Sequence, residues 1–361
     1  MAGLANADVV ADVLPVRDKH QFDEGALARW MAVNVDGHEG AIRVRQFRGG
    51  QSNPTYLVTS ADRTYVLRRQ PSGALLKGAH AVDREALVQT KLGPTQVPVA
   101  RIYATCVDPS VIGTMFYLME LVDGRIFWDA TFPDVGPANR PEYFRAMNAT
   151  IADLHSVDPA SIGLGDYGRP TGYVDRQIKR LSQQYTADIA AGRDANMDRL
   201  IAWLDGARPR NEGRAAVVHG DFRCDNLIFH PTDATIAAVL DWELSTLGHP
   251  LADFAYHAMM YRMPSHIVAG LAGADLSTLN APSEEEYLAW YAERTDLADT
   301  SDYDFFVAFS FFRVAAIFHG IKGRLARGTA ASPDAAKRVK ALPELAELAW
   351  EQARRAGAPA S

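Results

Sequence analysis

The chain has 361 residues, 48% hydrophobic and 22% charged, enough to bury a sizeable core, which excludes disordered, collagen-like and disulfide-scaffold classes. At ~150 residues per domain, the length predicts two domains or lobes. A net charge of −7 argues against general nucleic-acid binding, which needs clustered Lys and Arg, and Cys106 and Cys224 are too few for a four-ligand zinc site or a secreted disulfide framework.

The stretch up to about residue 125 reads as strand-rich. Ile42–Phe47 alternates apolar and polar residues, as a half-buried strand does. Tyr56–Val58 and Tyr65–Leu67 continue the pattern around the turn Asp62-Arg63. Ala81–Leu92 sets apolar residues among charges at helical spacing, and strands follow at Arg101–Val107 and Met115–Val122. Beyond Asp123-Gly124 the character changes. Helices are predicted over Arg140–His155, Tyr173–Ala191 and Met197–Leu204. Two short strands, Asp225–His230 and Ile236–Leu240, flank the turn Pro231-Thr232-Asp233. After Pro250 the chain reads as helical, with Glu284–Arg294, Phe305–Leu325 and Pro343–Ala356. Residues 1–123 therefore form a small lobe and 124–361 a mostly helical lobe. Asp8 and Asp12, with no preceding basic residue, do not read as a signal peptide. The most apolar run, Phe305–Phe318, contains Arg313 and is 14 residues long, too short for a bilayer. The expectation is a cytoplasmic protein with no membrane or nucleic-acid partner; the sequence carries no signal for its oligomeric state.

Chemistry concentrates in His219-Gly220-Asp221-Phe222-Arg223-Cys224-Asp225-Asn226, followed 15 residues after Asn226 by Asp241-Trp242-Glu243. Asp221, Asn226 and Asp241 offer oxygen ligands suited to a hard cation such as Mg²⁺. Phosphoryl transfer needs such a cation and a carboxylate that orients the acceptor hydroxyl. The pattern resembles the kinase catalytic loop followed by its metal motif, with Gly in place of Arg and Asp-Trp-Glu in place of Asp-Phe-Gly. Both departures are similar to the aminoglycoside phosphotransferase and choline kinase-like families.

That resemblance implies an α+β, protein kinase-like two-lobed fold, with five antiparallel strands and one helix in the small lobe. It implies a hinge near Glu120–Gly124 and ATP- and Mg²⁺-dependent transfer of a γ-phosphoryl group to the hydroxyl of a small-molecule acceptor. Asp221 takes the role of base, and Arg223 balances charge on the transferred group. Asn226 and Asp241 hold Mg²⁺. The segment Phe47–Tyr56 occupies the place of the phosphate loop, with Ser52 and Asn53 as donors. Arg68, in Tyr65-Val66-Leu67-Arg68, stands where the family has Lys, with Arg69 able to share its task, and Glu85 is its helix partner. Glu120 and Val122 meet adenine through the main chain. His219 is expected to order the loop by hydrogen bonding, Asp253 to be a helix cap or a loop-stabilising carboxylate, and Cys224 to be a small buried residue.

Further segments resemble kinase-like domains found alone or fused to acyl-CoA dehydrogenases. They include Val82-Asp83-Arg84-Glu85, Arg169-Pro170-Thr171-Gly172-Tyr173-Val174 and Leu240-Asp241-Trp242-Glu243-Leu244-Ser245. In some members the implied acceptor is a hydroxylated acyl-CoA or acid. Two charge patterns bear on the acceptor. Ser283–Asp304 holds eight acids against one Arg, suited to a polyamine or simply to solvent. Arg169, Arg176, Lys179 and Arg180 would suit an anion. A non-catalytic nucleotide-binding module and, less well, a metal-dependent hydrolase stay open.

Overall fold

The computed structural model describes residues 13–48, 53–61, 63–73, 80–209, 213–329 and 334–359. The chain divides into two compact units. The first runs to Ile126 and also contains Leu227–Ser245; the second comprises Phe127–Asn226 and the chain from Thr246 onward. A linear boundary at 123/124 does not anticipate the return of Leu227–Ser245 to the first unit.

The first unit is built on a six-stranded sheet of order β1-β2-β3-β4-β6-β5. The strands are β1 (Val13–Leu14), β2 (Arg43–Phe47), β3 (Thr55–Thr59), β4 (Thr64–Arg69), β5 (Ile102–Cys106) and β6 (Phe116–Glu120), all antiparallel to their neighbours. Alternation works as expected in β2, where Val44 and Gln46 turn inward. One face of the sheet buries Tyr56, Val58, Tyr65, Leu67, Phe116 and Leu118 with Leu27 and Met31 of helix α1 (Glu24–Asn34). That helix is absent from the sequence expectation of one helix, as is the edge strand β1. It starts at Asp23, whose carboxylate accepts the Ala26 N–H at 2.9 Å, a standard N-cap. On the other face, helix α2 (Val82–Leu92) packs Val82 and Ala86 on Tyr117. The strands β8 (Leu227–Phe229) and β9 (Ile236–Val239) pair antiparallel. Residues 224–226 form a 3-10 turn, so Asp225 and Asn226, predicted as the start of β8, are not strand. Arg125 bridges to Phe229, its N–H donating to the Phe229 carbonyl at 2.8 Å. The approach is close enough that a Cβ on Gly124 would lie 2.2 Å from that carbonyl oxygen.

The second unit is helical, with α3 (Arg140–Ser156), α4 (Tyr173–Ala187), α5 (Ala195–Gly206), α6 (Pro250–Ala258), α7 (Leu276–Leu279), α8 (Glu284–Arg294), α9 (Tyr303–Ala326) and α10 (Ala335–Arg355). The helix α9 reaches 24 residues, beyond the apolar run that suggested 14, and is long and apolar enough to cross a membrane by length and composition alone. Its apolar window is 83% buried inside the protein, packed against α10, α6, α4 and α5, as the core helix of a globular unit is. Strand β7 (Ala216–Val218) pairs antiparallel with β10 (Thr246–Gly248). This pair sets the start of the loop after β7 beside α6, which follows β10. Part of the acidic segment at α8 is structural. Ser283 and Glu286 form a capping box, and Glu284 and Asp304 both hold Arg262, at 2.8 and 2.7 Å.

Candidate active site

In the first unit, the chemistry centres on Arg68. Period-2 alternation sends neighbouring strand residues to opposite faces, so Arg68 and Arg69 part company. Arg69 points into the α1 side, 1% exposed, and donates to the carbonyls of Ile112 and His20 at 3.3 and 3.2 Å. Its guanidinium also lies 5.1 Å from the Phe22 ring centre. It cannot share a task with Arg68, contrary to the sequence expectation. Arg68 faces α2. Its Nε lies 2.8 Å from the Glu85 carboxylate, and a terminal nitrogen lies 2.7 Å from Asp241 and 3.7 Å from Glu243. The guanidinium is held firmly charged: burial opposes the charge, but Glu85, Tyr117, Asp241 and Glu243 outweigh it.

Glu85 is 2% exposed. Burial pushes its carboxyl above the usual range, against the pull of Arg68. Its remaining acceptor positions are filled by Asn53 Nδ2 at 2.8 Å and the Tyr117 hydroxyl at 3.2 Å. The other end of the Asn53 amide meets His80 Nδ1 at 3.0 Å. Asn53 is fully buried and its side chain is spent on Glu85 and His80. This differs from a donor aimed at phosphate: the amide fixes the carboxylate that fixes Arg68. Ser52 lies outside the described residues. Asp241 follows β9 with φ 62° and ψ 59°, a left-handed conformation that Asp tolerates better than most residues. Next to it Trp242 is buried and donates its indole N–H to the Val239 carbonyl at 2.9 Å. At the end of β6, the Glu120 N–H donates to the Arg101 carbonyl at 2.9 Å. Val122 follows in irregular chain, half-buried.

In the second unit, the loop after β7 carries Asp221, and α6 shapes it. Asp253 is 1% exposed. Its two oxygens accept the N–H groups of His219 at 2.7 Å and Gly220 at 2.8 Å, with His155 Nε2 at 3.1 Å. Burial disfavours its charge, yet the hydrogen bond and charge of His155, with His219, hold its carboxyl below the usual range. Gly220 has φ 84°, a left-handed turn that favours glycine, and its carbonyl accepts from Arg313 at 2.9 Å. The Asp221 N–H in turn donates to His219 Nδ1 at 3.2 Å. The expected loop-ordering roles of His219 and Asp253 are visible in these bonds.

The Asp221 carboxylate is held at both oxygens. The Tyr256 hydroxyl donates to Oδ1 at 2.7 Å, and Asn226 Nδ2 donates to Oδ2 at 3.2 Å and to the Asp221 carbonyl at 2.9 Å. Arg223 pairs with Asp225 and brings Nε to 3.7 Å from Asp221. Cys224 is buried, which pushes its thiol up to about 12, so it stays protonated and is no nucleophile. A cavity opens beside this loop, lined by Met259, Met260, Met263, Val268 and Ala130, with Arg223 as its cation.

Among the described residues, no three His, Cys, Asp or Glu side chains stand close enough to hold a metal ion. In the second unit Asn226 carries an amide oxygen, and in the first Asp241 carries a part-exposed carboxylate, both donor types that a hard cation takes.

Sequence reading missed Tyr256, Arg313 and His155. A signal existed for the first: Asp253 and Tyr256 are three apart, which places both on one face of a helix.

Residues 43–293 match the model of the phosphotransferase enzyme family, and the chain belongs to that family. Its fold is the kinase-like α+β fold. Acyl-CoA dehydrogenase family member 10 of Mus musculus is 42% identical over 351 residues, 96% of this chain and 33% of that protein. The chain thus spans about a third of that relative's length. A crystal structure from Ralstonia eutropha, provisionally described as an aminoglycoside phosphotransferase, is 44% identical with a TM-score of 0.85, covering 93% of this chain and 99% of that one. A thermostable mutant of an aminoglycoside phosphotransferase, in ternary complex with AMP-PNP and hygromycin B, is 13% identical with a TM-score of 0.57. That match covers 92% of this chain and 99% of the mutant, and shows likeness of fold alone.

Proposed function

We propose that this protein transfers the γ-phosphoryl group of ATP to a hydroxyl of a small molecule. The observation that carries this reading is Asp221, a carboxylate with both oxygens held by hydrogen-bond donors on a loop that α6 and α9 brace. A carboxylate so fixed can orient an acceptor hydroxyl and take its proton. Arg223 balances developing charge, and Arg68, fixed by Glu85, meets the nucleotide phosphates. Glu120 and Val122 meet adenine through main-chain groups. Asn226 of the second unit and Asp241 of the first would each offer an oxygen to Mg²⁺, which would neutralise phosphate charge.

The acceptor we favour is a hydroxylated acyl-CoA or hydroxy acid, whose anionic end Arg223 can meet. Of the acids of α8, Glu284 is engaged with Arg262 and Glu286 with the helix cap. The relation to acyl-CoA dehydrogenase family members supports the same choice. The protein is read as cytoplasmic. The test is an ATP-consumption screen across aminoglycosides, hydroxyacyl-CoAs and free hydroxy acids, with Asp221→Asn as control. Turnover on an acyl acceptor that falls at least a hundredfold in the variant, with Mg-ATP affinity kept, is expected. Mg-ATP binding with no turnover on any compound would instead make this a nucleotide-binding module.

A further inference from the structure

We infer that Tyr256 is a positioning residue for phosphoryl transfer, aiming the Asp221 carboxylate and itself aimed by Arg313. This rests on the reading of Asp221 given above.

The phenol reaches Asp221 Oδ1 at 2.7 Å. Tyr256 is 5% exposed, so its hydroxyl has little water to exchange with and remains on the carboxylate. Burial and the neighbouring Asp221 charge both push the phenol's pKa up, so the hydroxyl keeps its proton and acts as a donor. Without that donor, among the described residues Oδ1 keeps only the Arg223 nitrogen at 3.7 Å, beyond hydrogen-bond length.

One further contact fixes the phenol. The Arg313 guanidinium sits 4.7 Å from the Tyr256 ring centre, within cation–π range, while its NH2 donates to the Gly220 carbonyl at 2.9 Å. One buried cation therefore ties the ring to the residue preceding Asp221. On α6, Asp253, Tyr256 and His257 share a face. Asp253 fixes the backbone at His219 and Gly220, and the His257 ring packs edge-on against Phe222 at 5.1 Å. Tyr256 is the member of this set that reaches the Asp221 side chain. The Tyr256 side chain also lines the cavity beside Arg223, but its hydroxyl is spent on Asp221 Oδ1, so its effect runs through Asp221.

The test uses the full chain and slow Mg-ATP hydrolysis, with water as acceptor, read as ADP release. Tyr256→Phe removes the hydroxyl and keeps the ring. It is expected to lower kcat about tenfold, as losing a hydrogen bond to a charged group does, with KM for Mg-ATP within twofold. In an Asp221→Asn background the same change should have no further effect on kcat, because the group it acts through is gone. Arg313→Gln is read on the same constants and supplies the measurement should the phenylalanine variant not fold. Wild-type kcat in Tyr256→Phe, equal losses with and without Asp221, or a rise in KM matching the fall in kcat would overturn the inference. If Asp221→Asn alone leaves hydrolysis intact, the reading of Asp221 falls instead.

Discussion

His257 should make this protein less stable in mild acid. Its ring is buried against Phe222 and Phe254, with Nε2 at 2.7 Å from the Tyr287 hydroxyl. Burial, partly offset by a hydrogen bond with the Phe222 backbone and by Asp253, lowers its pKa to about 4 from an ordinary 6.5. Between these values the unfolded chain binds a proton that the folded chain refuses. The unfolded state therefore holds more protons, and stability rises with pH across that window. The contribution is complete above about pH 6.5 and drains by ~1.4 kcal/mol per unit on acidification. It is lost by about pH 4, a total of ~3 kcal/mol for the interval from 6.5 to about 4. The assay is urea unfolding followed by tryptophan fluorescence from pH 7.5 to 4.5, comparing wild type with His257→Gln. The substitution keeps a polar group near Tyr287 but removes the titration. The variant's stability should depend on pH less steeply, by about one proton between pH 6 and 4.5. Parallel wild-type and variant profiles across that range would refute the argument, since His257 would then titrate alike in both states.

Two more outcomes follow from the first unit. Glu85→Gln leaves the buried Arg68 without its nearest counter-charge. Removing one partner of a buried pair costs about 3 kcal/mol at the lower end, and that end applies because Asp241 and Glu243 still face the guanidinium. A urea midpoint unchanged from wild type would mean that the pair adds nothing. Gly124→Ala places a methyl 2.2 Å from the Phe229 carbonyl oxygen. It should break the Arg125–Phe229 bridge and destabilise by about 1–3 kcal/mol, seen as early hydrogen exchange at both amides; full protection of those amides in the variant would show that the backbone yields at no cost.

Legibility in the sequence tracked the distance between partners along the chain. The strands β2 to β6 and the helix α2 were readable because alternation and helical spacing are local. The loop from His219 to Asn226 was readable because its spacing is short and its residue types are specific. Helix α1 was missed for lack of a marked apolar stripe: it buries Leu27 and Met31 alone. Side-chain direction was harder still. Arg68 and Arg69 look interchangeable in sequence, yet the pleat sends one toward Glu85 and the other toward His20. Asn53 looked like a phosphate donor because its loop position suggested one, while its amide is taken by a residue 32 positions away. Tyr256 and Arg313 meet the loop from His219 to Asn226 across 35 and 93 positions, beyond any local pattern.

The bracing of the His219–Phe222 loop by one face of α6 also bears on speed. A loop that must find its shape when a ligand arrives loses conformational entropy at that moment. Here the shape is settled as the helix and the β7–β10 pair come together, so that loss is charged to folding. Dipoles already oriented need not reorganise as charge shifts during a reaction, and the stiffness of a single helical turn becomes a kinetic property of the loop beside it.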